Sequence, residues 1–216
     1  MVRSPLAGPY SRVKRHTVLG YEGGGSGRTA MRRVILQMSI SLDGFFEGPH
    51  HELDWHLVDD ELHQHFNDEL RVMGGFLEGR RTYELMADFW PTADSDPTST
   101  RPMVEFAGIW RDMPKIVYSR TLERADWNAT IVRELVPEEV RALKAQQGGD
   151  LVLGGAELAA AFMRHGLLDQ LRIYVHPVLI GRGRPLFPPS DVRAGLRLEQ
   201  TRTFGNGVVL LRYALH

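Results

Sequence analysis

The chain has 216 residues, with 26 basic and 27 acidic side chains and a formal charge of −1. With 43% hydrophobic and 25% charged residues it has the composition of a soluble globular protein, which argues against a disordered, collagen-like or coiled-coil chain. It contains no cysteine, which excludes a disulfide framework, a thiol nucleophile and a Cys-ligated metal centre.

The near-neutral total hides two unlike parts. Residues 1–30 carry five basic side chains (Arg3, Arg12, Lys14, Arg15, Arg28) against the single acid Glu22, so the remainder is net negative. This first part also holds Pro5, Pro9 and the run Gly23-Gly24-Gly25-Ser26-Gly27. It is expected to be a flexible basic extension, with one domain over 31–216 and Met31 as a candidate start. It lacks an apolar signal-peptide core, and no stretch of about 18 apolar residues occurs anywhere, so neither secretion nor membrane insertion is expected. A cytoplasmic location is compatible with this. Five charges spread over the extension make no dense patch, so no nucleic-acid partner is expected.

Arg33–Ser39 (RVILQMS) is short, apolar and bounded by Asp43-Gly44, which reads as a buried strand running into a loop. His56–Met73 places Leu57, Leu62, Phe66, Leu70 and Met73 at amphipathic helix spacing, with Asp59 and Asp60 near its start. Gly75–Glu78 reads as a strand, followed by Gly79-Arg80-Arg81-Thr82 and a helix over Thr82–Phe89. Residues 91–102 are rich in Pro, Asp, Ser and Thr and read as a surface loop. Lys115–Ser119 is another strand, and Pro137 opens a helix to about Gln147, stopped by Gly148-Gly149. Asp150–Leu153 is a strand feeding Gly154-Gly155 and the helix Ala156–Arg164. Leu171–Ile180 reads as a long strand whose Pro177 marks an edge or a bulge. Leu196–Phe204 and Val208–Tyr213 form a hairpin through Gly205-Asn206-Gly207, with Asn-Gly favouring a type I′ turn. Strands alternate with helices, then strands close the chain. That is an α/β sheet, largely parallel, with an antiparallel C-terminal section.

The unit strand–Gly-Gly–helix at Asp150–Met163 brings backbone N–H groups and a helix N-terminus together, as an anion such as pyrophosphate requires. The same pair of glycines is also common as a plain tight turn. Gly79-Arg80-Arg81-Thr82 gathers two guanidinium groups and a hydroxyl at a second strand-to-helix junction, where they match phosphate or are simply solvated. Ser119-Arg120-Thr121 repeats that chemistry at a third strand end. Ligands of open α/β sheets bind at the carboxyl edge, and three such ends suggest a dinucleotide with an extra phosphate, hence NADPH rather than NADH. Five of the nine histidines lie between 50 and 65, but His63 and His65 point to different sides of a helix. They are expected to be solvated, and no metal site is expected. No nucleophile elbow is present.

At this point the chain resembles the dihydrofolate reductase superfamily, in the branch of the riboflavin-biosynthesis pyrimidine reductase. The segments that carry the likeness are SISLDGFFEG (39–48), ELDWH (52–56), FLEGRRTYELM (76–86), KIVYSRTL (115–122), DLVLGGAELAAAF (150–162) and HPVLIGRGRPLF (176–187). They stand in family order and cover nearly all of 31–216. The resemblance implies a three-layer dihydrofolate reductase-like fold, a central mostly parallel sheet with antiparallel C-terminal strands and helices on both faces. It implies a homodimer and an NADPH-dependent reductase acting on a C=N or C=O bond of a pyrimidine- or pterin-like ring. By motif position, Gly154, Gly155, Ala156, Glu157 and Leu158 line the pyrophosphate and nicotinamide side. Gly79, Arg80, Arg81 and Thr82 hold phosphates, Ser119 and Arg120 lie near the 2′-phosphate, and Asp43 and Gly44 belong to the loop over the nicotinamide. Trp55 and, five residues on, Asp60 occupy the positions of a substrate-gripping tryptophan and carboxylate, with Asp60 as the catalytic acid. The helix dipole alone accounts equally for Asp59, Asp60 and Glu61. Val58 replaces the proline expected between them, and no basic cluster stands out for a ribose phosphate. A nucleotide-binding protein without turnover is the alternative reading.

Overall fold

The computed structural model describes residues 31–189 and 193–216. The expected extension over 1–30 lies outside the described residues.

The chain runs β1 (Val34–Ser41), β2 (Phe45–Glu47), α1 (Asp60–Leu70), β3 (Gly75–Gly79), α2 (Arg80–Phe89), a 3₁₀ turn (Trp90–Ser95), α3 (Arg101–Asp112), β4 (Lys115–Tyr118), β5 (Ala129–Val132), α4 (Pro137–Lys144), β6 (Leu151–Gly154), α5 (Ala156–Arg164), β7 (Gln170–His176), β8 (Arg184–Pro185), β9 (Leu196–Thr203) and β10 (Val209–Leu215). Eight strands form one sheet in the order β5-β4-β3-β6-β1-β7-β10-β9, and β2 pairs with β8 in a separate ribbon. The first six strands of that order are mutually parallel, and β10 and β9 run antiparallel.

Side-chain alternation sorts the sheet into two faces. On one face Val34, Leu36, Leu77, Leu151 and Leu153 meet Val140 of α4 and Ala159 and Phe162 of α5. On the other, Phe76, Val117 and Val152 meet Leu70 of α1, Tyr83 of α2 and Phe106 and Trp110 of α3. Leu62 of α1 packs with Tyr174, Phe204 and Leu210 under the antiparallel strands. The result is the expected α/β architecture of three layers.

Several local expectations are corrected. The segment His56–Asp59 is not helical: α1 begins at Asp60, with the Asp59 side chain capping the Leu62 N–H. Residues 91–102 are not simply a loop, because the 3₁₀ turn buries Pro91 and Ala93 and α3 starts with Pro102 in its first turn. Neither α3 nor β5 was expected. Pro177 marks neither an edge nor a bulge; β7 lies between β1 and β10 and simply stops at His176. In the hairpin, Gly207 N–H donates to the Phe204 carbonyl, and Gly207 alone of the three loop residues has positive φ (+85°). That is a three-residue loop closed by a left-handed glycine, not type I′, which needs positive φ at both central residues.

Candidate active site

The carboxyl ends of β4, β3 and β6 stand side by side. Gly79 pairs with Tyr118, and Glu78 pairs with Gly154, so the three strands stop within one residue of each other. The groups that follow, Ser119-Arg120, Arg80-Arg81-Thr82 and Gly155-Ala156-Glu157-Leu158, therefore leave the sheet at one edge. The parallel order required by the α–β connections produces this alignment.

Gly155 is the tightest point. Its φ is +95°, and a Cβ there would lie 2.9 Å from Thr82 Oγ1. One glycine thus meets two demands: a conformation that L residues avoid, and close approach of the α2 start to the β6–α5 turn. Its N–H faces only the sulfur of Met38, at 3.5 Å, a weak acceptor. Here is a backbone cradle at a helix start that a side chain would fill, which is what a pyrophosphate needs. Arg81 and Arg120 are exposed. Arg80 is exposed too, but pairs with Glu84 at 2.9 Å one turn along α2. Ser119 is buried, and its Oγ accepts from the N–H groups of Thr121 and Leu122. It shapes the turn that presents Arg120.

The β1–β7 part of the edge is built differently. Gly44 has φ +90° in the turn after β1. Asp43 accepts from Gly181 N–H at 2.8 Å and Ile180 N–H at 3.3 Å, and the Ser41 side chain first, then those bonds, hold its carboxyl below the usual range. Leu42 N–H donates to Val178, and Leu186 N–H donates to Gly44. The loop over this edge is thereby zipped to the segment after β7. Arg184 fastens the ribbon, pairing with Glu47 at 2.7 Å and with Glu157 at the start of α5 at 2.6 Å. Arg184 also lines a pocket of about 360 Å³ with Phe46, Glu157 and Arg164.

On the substrate side, Trp55 lines a second pocket of about 290 Å³ together with His50, Glu52, Asp54, Ile180 and Arg182. Asp60 does not join it. It is exposed on the first turn of α1, its carboxylate takes part in no hydrogen bond among the described residues, and it lies near His63 of its own helix. The structure therefore brings together the phosphate-type residues and leaves Asp60 apart from Trp55's pocket.

Two features were not foreseen. Glu78, 3% exposed, has one carboxylate oxygen buried without a partner, and burial pushes its carboxyl up to about 7. The histidines are not all solvated: His63 is buried against Trp90 and Phe106, His65 meets Tyr174, and His56 stacks on the fully buried His176. His56 and His176 have counterparts only in the fold, since 120 residues separate them; the one local signal was the clustering of histidines before α1. Among the described residues no group of three or more His, Asp or Glu gathers as a metal site would require.

The chain is similar to several known proteins. The sequence model described as the RibD C-terminal domain matches residues 32–210. The uncharacterized protein YyaP of Bacillus subtilis (strain 168) is 37% identical over 183 residues, covering 84% of this chain and 94% of that protein. A putative riboflavin biosynthesis protein from Shewanella sp. PV-4 superposes with a TM-score of 0.65 at 19% identity, over 85% of this chain and 99% of that one. Dihydrofolate reductase from Enterococcus faecalis, solved with NADP(H), superposes with a TM-score of 0.57 at 16% identity, over 85% and 96%.

Proposed function

Since the chain belongs to the family of the RibD C-terminal domain, we propose that it is an NADPH-dependent reductase of a pyrimidine- or pterin-like ring. The observation that carries the reading is the aligned edge: three parallel strands ending in register, with Gly155 held in a positive-φ cradle against Thr82. NADPH, when bound, supplies a hydride from its nicotinamide. The protein's part is orientation and electrostatics. The backbone of Gly154, Gly155 and Ala156 with Thr82 receives the pyrophosphate at the start of α5. Arg80, Arg81 and Arg120 supply forked donors to the remaining phosphate, Arg80 exchanging Glu84 for it. Asp43 holds the loop with Gly44 over the nicotinamide side, and Trp55 offers a flat face for the substrate ring.

The expected homodimer is supported by β9, an edge strand exposed along its whole length, with Leu196 and Leu198 45% and 51% exposed. An edge uncovered among the described residues, with two exposed leucines at its start, suits a second copy of the chain. No helix among the described residues is long and apolar enough to cross a membrane. A cytoplasmic location and a reductase domain over residues 31–216 are part of the same proposal.

Titration calorimetry should show micromolar NADPH binding, and loss of reduced-nicotinamide absorbance against a panel of pterins and aminopyrimidines should reveal the substrate. No NADPH binding by the intact protein would overturn the reading. The exposure of Asp60 favours one second reading, a nucleotide-binding protein without turnover; oxidation of NADPH with any member of the panel would remove it.

A further inference from the structure

Leu57 N–H donates to Nδ1 of His176 at 3.0 Å. A backbone amide can only donate, so Nδ1 accepts, and in the neutral ring the hydrogen then sits on Nε2. Burial keeps the ring neutral, pushing it down to about 4. Yet Nε2 is itself buried and has no partner among the described residues, and His176 is 0% exposed. A buried donor without an acceptor is uncommon in folded proteins and calls for a reason.

The surroundings supply one. His176 ends β7 beside Ser41, the last residue of β1, so it stands at the same carboxyl edge as the Asp43-Gly44 loop. His56 stacks on it, ring centroids 5.2 Å apart and planes 20° apart, with its own Nε2 also buried and unpaired. Trp55 packs edge-on against both rings, 4.2 Å from His56 and 5.6 Å from His176. Trp55 is also a wall of the 290 Å³ pocket. Trp55, in a stretch with neither helix nor strand between Glu47 and Asp60, therefore touches the His176 ring and the pocket at once. Glu52 and Asp54 line that pocket against Arg182, which disfavours an anion and leaves a neutral acceptor as the match for a neutral donor.

We propose that His176 anchors the substrate: with Trp55 and His56 turned aside, its Nε2–H donates to a ring carbonyl oxygen of a neutral heterocycle, of which uracil is the simplest probe, while Trp55 stacks on the ring. This rests on the reductase reading for the role of the pocket, but its test does not need the cofactor.

The test uses the full chain with ¹⁵N-labelled histidine, titrated with uracil in the absence of NADPH. His176 should report the Nε2–H tautomer, and its Nε2 resonance should move on saturation with uracil. His176→Phe should weaken uracil binding about tenfold, and His176→Gln, which keeps a donor, should restore most of it. An Nδ1–H tautomer, a His176 signal unmoved by uracil, or a His176→Phe protein that binds uracil as the parent does would overturn the proposal. If a substituted chain fails to fold, the tautomer and the uracil shift in the unsubstituted protein still decide. A failure to bind NADPH counts against the reductase reading alone.

Discussion

The two halves of the carboxyl edge solve different problems. Around β4, β3 and β6 the groups are glycines, hydroxyls and exposed guanidinium groups, each contiguous in sequence with a strand end. Around β1 and β7 the groups are paired with one another and assembled from afar: Leu57 with His176, Asp43 with Gly181, Glu47 with Arg184. On the proposed reading the first half offers charge and backbone amides to an anion. On the proposed reading the second offers the buried, neutral His176 donor and a zipped loop to something uncharged. Anion recognition needs only a local motif, whereas a neutral ring must be met on several sides at once.

Substitutions can break this contrast. The largest effect is expected at Gly155. Valine there must adopt a φ of +95° and place its Cβ 2.9 Å from Thr82 Oγ1. Strain of about 1–3 kcal/mol from the backbone alone adds to that clash. Gly155→Val should abolish measurable NADPH binding while uracil binding at the other half survives, as parallel calorimetric titrations would show.

Next is Glu78, which sits one residue before the phosphate-type edge but belongs to the core beneath it. Its carboxyl rises from 4.5 to about 7 through burial. The folded chain thus holds the proton more tightly than the unfolded one. Its contribution to stability is full below pH 4.5, falls as pH rises towards 7, and stays lost above that. Glu78→Gln removes the cost of the buried charge. Relative to the parent it should gain on the order of 3 kcal/mol well above pH 7 and nothing at low pH. Urea unfolding across the pH range checks this; an equal difference at all pH values would contradict it.

A smaller effect is expected from the guanidinium groups. Replacing both Arg80 and Arg120 by alanine should weaken NADPH binding at least tenfold, about 1.4 kcal/mol, and narrow the preference over NADH. The smallest concerns Asp60. Exposed and outside Trp55's pocket, it should tolerate Asp60→Asn with less than about a threefold change in kcat/KM, under 1 kcal/mol. A far larger loss would return the carboxylate to the chemistry.

What could be read in advance follows the same division. β1, β3, β4 and β6 announced themselves because a buried parallel strand is a short apolar run. Helix α5 was bounded correctly at both ends by Gly155 and the charged Arg164. Helix α3 was hidden because Arg101-Pro102 follows a run of Pro, Ser and Thr, and Pro in a first helical turn looks the same as Pro in a loop. Strand β5 (ATIV) is only four residues long and none of them is buried, so its short apolar stretch carried little signal. On the substrate side the spacing from Trp55 pointed to Asp60, but spacing cannot tell which face of a first helical turn meets solvent. His176 lay inside what read as one long strand, and only its register with Ser41 and its bond to Leu57 bring out its setting.

The central claim is that the β4–β3–β6 edge is built for a dinucleotide with an extra phosphate. Calorimetric titration of the intact protein with NADPH and with NADH tests it most directly. The account predicts micromolar affinity for NADPH and binding at least tenfold weaker for NADH, about 1.4 kcal/mol. Equal affinity for the two, or no heat with either, would contradict it.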